Sequence, residues 1–239
     1  MIGCDCGTCR SVDPRDRRSR PSVYIQSDDG TALLVDAGPD LRAQALAHDL
    51  RRVDAIFFTH AHADHIVGLD DVRRFNAMQK QVIPCFGDAA TVRDIARMFS
   101  YVFDAPTPKG GGIPQLELFT VGGSFCLGGL VIEPVPLLHG PKPILGLRSG
   151  GLAYLTDCSR IPDASWPLLE RLDVLVLDAL RDRPHPTHFS LQEAVEAARR
   201  IGARRTYFTH MAHDLRHEPT CARLPRGMEL AYDGLIVDC

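Results

Sequence analysis

Four short apolar runs in this chain each stop on a residue type that ligates metal ions, and that repetition narrows the folds open to it. Ile56-Phe57-Phe58-Thr59 runs into His60, and Val135-Pro136-Leu137-Leu138 into His139. Ala153-Tyr154-Leu155-Thr156 runs into Asp157, and Tyr207-Phe208-Thr209 into His210. Runs of this length and content read as buried strands. A lone His or Asp at a strand end is ordinarily a cap or turn residue. Four of them are the pattern expected when a sheet core carries several strand ends to one rim, where residues distant in sequence meet.

The densest of the four is His60-Ala61-His62-Ala63-Asp64-His65. Alternation along an extended backbone puts His60 and His62 on one side, while Asp64 and His65 can turn to another. One segment can thus serve two neighbouring ions. Imidazole with carboxylate suits zinc, manganese or iron. The competing reading is a polar loop with histidines by chance, which is disfavoured because unpaired His clusters are rarely set at a strand end.

At 239 residues a single domain over 1–239 is the expectation. Strands are predicted at Ser22–Ser27, Ala32–Asp36, Ala55–Thr59, Leu116–Val121, Leu130–Pro136, Ile144–Arg148, Leu152–Thr156, Val174–Leu177 and Arg205–Thr209, with short runs near Glu229 and Leu235. The first two read as a hairpin about Asp28-Asp29-Gly30. Helical patterns cover Pro39–Leu50, Gly68–Met78 and Ala89–Phe99, and Ser190-Leu191-Gln192-Glu193 is a capping box opening a helix to about Gly202. Asp104–Pro114 is rich in Pro and Gly and reads as a mobile loop. Helices and strands mix along the whole length, so the fold class is α/β, with two sheets covered by helices.

Net charge is −3, which gives no general attraction to nucleic acid or anionic membrane. No apolar stretch approaches bilayer length, and the first residues lack a signal peptide's apolar region, so a cytoplasmic location is expected. Three of the eight cysteines crowd the start as Cys4, Cys6 and Cys9. A disulfide framework is disfavoured in a cytosolic chain of this size, and metal binding competes best. Three thiolates leave one tetrahedral position open on zinc, and His213, three residues after His210, is the candidate for it. The alternative is three reduced, unligated thiols near a frayed terminus.

The order His60, His62, Asp64, His65, His139, Asp157, His210 resembles the metallo-β-lactamase superfamily, whose signature is His-x-His-x-Asp-His followed by a distant His, Asp and His. The likeness spans essentially the whole chain. It implies an αββα sandwich with the site at one edge of the paired sheets. It also implies that His60, His62 and His139 hold one ion and that Asp64, His65 and His210 hold a second, with Asp157 bridging. Two divalent ions (zinc or manganese) roughly 3.5–4 Å apart lower the pKa of a bridging water toward neutrality and neutralise charge on a phosphoryl oxygen. A metal-bridging hydroxide then serves as nucleophile, and no Ser or Cys is needed.

Further features look like the phosphodiesterase branch typified by phosphoribosyl 1,2-cyclic phosphate phosphodiesterase. That branch pairs a Cys-x-Cys-x2-Cys cluster with a His just after the last catalytic ligand, matched here by Cys4, Cys6, Cys9 and His213, so residues 1–10 would form part of a structural zinc site. His188, two residues before the capped helix, matches a family His that serves the scissile phosphate or leaving group, a natural task for imidazolium. The alternative is a surface His beside a helix start. His185, between Pro184 and Pro186, is the nearest competitor and lacks the match. Asp178 matches a family Asp and could orient His188, or be a simple strand-end carboxylate. Lys142 could hold a phosphate oxygen, or be a solvated loop lysine. Family members carry a strand and a Gly-Thr-Gly loop ahead of the cysteine cluster. This chain begins almost at the cluster, so either that first strand is missing or a longer natural form exists.

The leading expectation is a dinuclear metal phosphodiesterase acting on a small or cyclic phosphodiester, with Asp64, His188 and Asp178 in the catalytic set. An RNA-processing nuclease of the same superfamily is the runner-up. Neither net charge nor a Lys/Arg-rich insertion shows an RNA-gripping surface, so nucleic acid is the disfavoured partner. A lactonase or thioesterase is compatible with the core ligands. Outside enzymes, the alternative is a zinc-stabilised scaffold that binds a partner, against which stands the complete ligand set. A homodimer is the commonest assembly for such a chain.

Overall fold

The computed structural model describes residues 1–104 and 112–239, and these divide into two compact units. One is the contiguous stretch Arg20–Ile132; the other joins Met1–Ser19 to Glu133–Cys239. Most of the Pro/Gly-rich loop expected over Asp104–Pro114 lies outside the described residues.

In the contiguous unit, β1 (Val23–Gln26) and β2 (Ala32–Val35) form the expected antiparallel hairpin. β3 (Ala55–Phe57), β4 (Ile83–Gly87) and β5 (Leu116–Thr120) then add in parallel, in the order β1-β2-β3-β4-β5. Parallel strands need long crossovers. These carry α1 (Leu41–Ala47), α2 (Ala63–Ile66), α3 (Arg73–Gln79), α4 (Ala89–Met98) and α5 (Ser100–Phe103). β2 and β3 are buried at every position, as central parallel strands are. Leu34 of β2 and Ile56 of β3 pack with Ile66, Leu69, Val72, Ile83 and Ile95 into one apolar core. A short β6 (Phe125–Leu127) pairs with the start of β7 (Leu130–His139).

In the second unit β7 pairs antiparallel with β8 (Lys142–Ser149), and β8 with β9 (Leu152–Leu155). β10 (Val174–Asp178), β11 (Arg205–Thr209) and β12 (Met228–Leu230) continue the sheet in parallel beyond β9. Two reversals make β7 parallel to β9, so β7, β9, β10 and β11 all end at the same rim. α6 (Leu191–Ile201) packs against β10 through Ala194, Val195 and Ala198. Its start is the capping box read from the sequence: Ser190 Oγ accepts from Glu193 N–H while the Glu193 carboxylate accepts from Ser190 N–H. α7 (His217–Cys221) precedes β12.

Several expectations are corrected. The strand near Leu235 is absent, because Tyr232-Asp233-Gly234 turns the chain, with Gly234 at φ 85°. The helix over Gly68–Met78 is split into a 3-10 stretch, Val67–Val72, and α3. β7 runs past Pro136 to His139, and β4, interrupted by Pro84, is a strand that was not predicted. Among the described residues no helix is long and apolar enough to cross a membrane.

Candidate metal centre

β2 and β3 are parallel neighbours, so the residues that follow them emerge side by side: Asp36 after β2, Thr59 and His60 after β3. Asp36 is fully buried and sits at φ 62°, a left-handed conformation that Asp tolerates better than most residues. Its Oδ1 accepts from the Thr59 N–H at 2.9 Å; its Oδ2 accepts from the Thr59 hydroxyl at 2.8 Å and meets His65 Nδ1 at 2.7 Å. A carboxylate only accepts, so the His65 proton is on Nδ1. The Thr59 hydroxyl has given its proton to Asp36 and therefore accepts from His60 Nδ1, 3.0 Å away. Both imidazoles thereby carry their proton on Nδ1 and leave Nε2 unprotonated, the form that metal-binding histidines take.

His62 stays extended at the N-cap of α2, and α2 turns Asp64 and His65 away, as the alternation argument requires. The His60 ring lies 4.5 Å from that of His62 and 4.3 Å from that of His65, and Asp64 Oδ2 is 3.8 Å from His65 Nε2. Two glycines make this possible. A Cβ on Gly68 would fall 1.9 Å from the Gly38 carbonyl oxygen, and one on Gly38 would fall 2.3 Å from that of Asp64. The loop after β2 and the α2 turn thus touch backbone to backbone, with Ala37 N–H donating to the His65 carbonyl at 2.7 Å.

The rim of the second unit gathers His139, Asp157, Asp178, His188 and His210. Asp157 and His210 both adopt positive φ (54° and 58°), re-aiming their side chains directly after β9 and β11. One ligand atom each from Asp157, Asp178, His188 and His210 lies within 4.8 Å of the others. His210 Nε2 is 3.3 Å from Asp157 Oδ1, and the His188 and His210 rings stack at 4.8 Å. His139 Nδ1 donates to the Thr187 carbonyl at 2.7 Å, again leaving Nε2 to ligate. Burial pushes the His139 imidazole below its ordinary value, which keeps it in the neutral form a ligand needs.

Asp178 is completely buried, accepting from Phe189 N–H at 3.0 Å and from His188 Nδ1 at 3.1 Å. Burial pushes its carboxyl well above the ordinary range, against the pull of His210. His188 Nε2 looks toward Asp157, 4.0 Å from Oδ2. Lys142 opens β8 directly across from His139.

The cysteine cluster meets His213 as expected: Cys4, Cys6 and Cys9 Sγ lie 3.3, 3.4 and 3.7 Å from His213 Nδ1. Zinc bonds to sulfur and nitrogen at tetrahedral angles set those atoms about 3.5 Å apart, so the spacing fits a zinc ion. The Cys6 thiol is drawn down to about 6 by the Cys9 backbone N–H and by His213. Arg18 ties the same N-terminal segment to the His213 loop, donating to the carbonyls of Ala212 and Leu215 at 3.2 and 2.5 Å. Asp16 accepts from His217 N–H at 2.8 Å.

Two groups at these centres escaped the sequence. Asp36 follows an apolar run just as Asp157 does, but its role appears only once β2 is seen to lie beside β3. The Thr187 contribution is a backbone carbonyl, which leaves no trace in a side-chain pattern.

Residues 31–211 match the family model for the beta-lactamase superfamily domain. A solved structure described as a new diphosphatase from the PhnP family aligns with TM-score 0.91 and 47% identity, over 98% of this chain and 89% of that one. An octanoyltransferase of Porphyromonas gingivalis (strain ATCC BAA-308 / W83) is 34% identical over 98% of this chain and 48% of its own length. A ribonuclease Z of Bradyrhizobium sp. (strain ORS 278) is 31% identical over 59% of this chain and 47% of its own. The chain spans about half the length of these two curated relatives.

Proposed function

From the premise that this chain belongs to the beta-lactamase superfamily, with its metallo-β-lactamase hydrolase fold, we propose that it is one dinuclear metal-dependent phosphodiesterase domain acting on a small or cyclic phosphodiester. The carrying observation is the hydrogen bonding behind the histidines. Asp36, Thr59 and the Thr187 carbonyl occupy Nδ1 of His65, His60 and His139, so each offers Nε2 as a ligand. On this reading His60, His62 and His139 hold one ion, Asp64, His65 and His210 hold the other, and Asp157 is shared. Cys4, Cys6, Cys9 and His213 hold a structural zinc. When bound, the paired ions supply a water-derived nucleophile near neutral pH and offset charge on the phosphoryl oxygens.

The remaining residues do the proton work. Asp178 holds His188 with its Nδ1–H inward, so Nε2 faces the rim and can deliver a proton to the departing alkoxide. Lys142, across from His139, is placed in register to meet a phosphate oxygen. The PhnP-family diphosphatase supports phosphorus rather than carbon as the reacting centre. The octanoyltransferase is a protein of about twice this length, of which this chain spans about half. The ribonuclease Z relative favours a second reading, an RNA-processing nuclease, against which the net charge of −3 stands.

The test is metal analysis coupled to hydrolysis of bis(p-nitrophenyl) phosphate, a cyclic phosphodiester and a precursor transfer RNA. Asp64→Ala should lose a catalytic metal and activity together. His188→Ala should keep its metals while turnover falls by about 10²–10⁴. Cleavage of lactones or thioesters but of no phosphodiester overturns the reading, and unchanged turnover in His188→Ala removes the role given to that residue.

A further inference from the structure

We propose that His185 is a substrate-binding residue: a neutral imidazole whose Nε2–H holds a non-bridging phosphoryl oxygen next to the proton donor His188. The identity of the ligand rests on the phosphodiesterase reading; the geometry does not. His185 Nδ1 lies 3.4 Å from the Thr187 backbone N–H and 3.2 Å from its hydroxyl. An amide N–H can only donate, so Nδ1 is the acceptor and the ring proton is on Nε2. The ring is half-exposed and its centroid is 5.2 Å from that of His188. Its free edge is therefore within reach of a ligand that His188 also touches.

The loop around it is built to stay in place. Pro184 and Pro186 fix φ on both sides of His185. The Arg181 guanidinium donates to the carbonyls of Arg183 and Pro184, at 3.3 and 3.1 Å. Gly140, at φ 58°, lets the β7–β8 turn close on this loop, because a Cβ there would meet Thr187 Cγ2 at 2.8 Å. The same loop orients His139 through the Thr187 carbonyl. Thr187 thus fixes one histidine through its carbonyl and another through its N–H and hydroxyl.

The two neighbouring histidines use Nδ1 in opposite ways. His188 gives its Nδ1–H to Asp178, whereas His185 accepts at Nδ1. One is arranged to release a proton, the other to donate a hydrogen bond and keep it. Burial and the adjacent His188 both lower the His185 imidazole, which favours its neutral form.

Two measurements test this. Long-range ¹H–¹⁵N correlation on the metal-free chain reads the tautomer: Nε2–H is expected, and Nδ1–H overturns the proposal. Calorimetric titration of inorganic phosphate into the metal-loaded chain reads the contact. His185→Ala should weaken phosphate about tenfold, the loss expected for one hydrogen bond to a charged group. His185→Gln, whose amide nitrogen reaches the Nε2 position, should restore affinity to within about threefold of wild type. Metal content should be the same in all three proteins, and in bis(p-nitrophenyl) phosphate hydrolysis His185→Ala should raise KM more than it lowers kcat. Phosphate binding by His185→Ala within twofold of wild type, or none by wild type, overturns the proposal. His185-dependent phosphate binding without hydrolysis of any phosphodiester supports His185 and refutes the phosphodiesterase reading alone.

Discussion

On the two-ion reading proposed above, replacing Asp36 by Asn should weaken metal binding at both positions while leaving the metal-free fold nearly intact. Asn fits the volume of Asp and accepts the left-handed backbone at φ 62°. It has two orientations. With its oxygen at the Oδ1 position it still accepts from Thr59 N–H, and its NH₂ donates to the Thr59 hydroxyl and to His65 Nδ1. His65 must then carry its proton on Nε2, and the released Thr59 hydroxyl can donate to His60 Nδ1, which moves that proton too. Thr59 N–H keeps its acceptor in this orientation, and neither imidazole can ligate through Nε2. With the amide reversed, both imidazoles keep their ligating form, but NH₂ now faces the Thr59 N–H, 2.9 Å from the position it replaces. A buried N–H stripped of its acceptor costs about 1–3 kcal/mol. Metal binding selects the second orientation and bears that cost, so affinity should fall by about 5- to 150-fold. Competition for Zn²⁺ against a chromophoric chelator at pH 7 measures the fall, and thermal unfolding of the metal-free protein checks the fold. Wild-type zinc affinity in Asp36→Asn, with the protein folded, would refute the tautomer argument.

Three further outcomes follow from local geometry. Gly68→Ala drives a Cβ to within 1.9 Å of the Gly38 carbonyl oxygen, and neither backbone has a flexible end to yield. A loss of about 3 kcal/mol, seen as a fall of roughly 6–12 °C in Tm, is expected, and an unchanged Tm contradicts the contact. Cys6 should be alkylated by iodoacetamide at pH 7 ahead of the other free thiols in the metal-free chain, with a midpoint near 6 and protection by zinc. Because its folded value lies below the ordinary 9.0, its contribution to stability is present above pH 9 and is lost as pH falls through about 6; an alkylation midpoint near 9 would contradict the shift. Ser190→Ala removes the N-cap of α6 and should destabilise the chain by about 1 kcal/mol in denaturant unfolding, whereas Ser190→Thr should not.

What the sequence made legible was the part encoded by residue type and order. His60 through His65, His139, Asp157 and His210 stand at the ends of apolar runs, and Ser190–Glu193 announces its helix, because each is a side-chain pattern in a short window. Cys4, Cys6 and Cys9 pointed to His213 because three thiolates leave a fourth zinc position open and because the resemblance pairs such a cluster with a His there. The hidden parts depend on what neighbours in space supply. Asp36 is one of 30 acidic residues, and nothing local separates it from a turn residue until β2 is known to lie beside β3. The role of Gly68 exists only through its contact with Gly38. β4 was obscured by Pro84, which a strand tolerates here, while the apolar residues near Leu235 suggested a strand that the Gly234 turn prevents.

The link between Cys4 and His213 also sets a timetable for biosynthesis. These partners are 209 residues apart, and nearly the whole chain must be translated between them. Arg20–Ile132 is contiguous and can be completed on the ribosome, while Met1–Ser19 waits for the segment that carries His213. At about 5–20 residues per second that interval is roughly 10–40 s. Throughout it Cys6 is a thiol without His213 at its side, open to oxidants and to any soft metal the nascent chain meets. If these four residues hold zinc as proposed, the N-terminal segment can close on its metal only after the segment that carries His213 has been made.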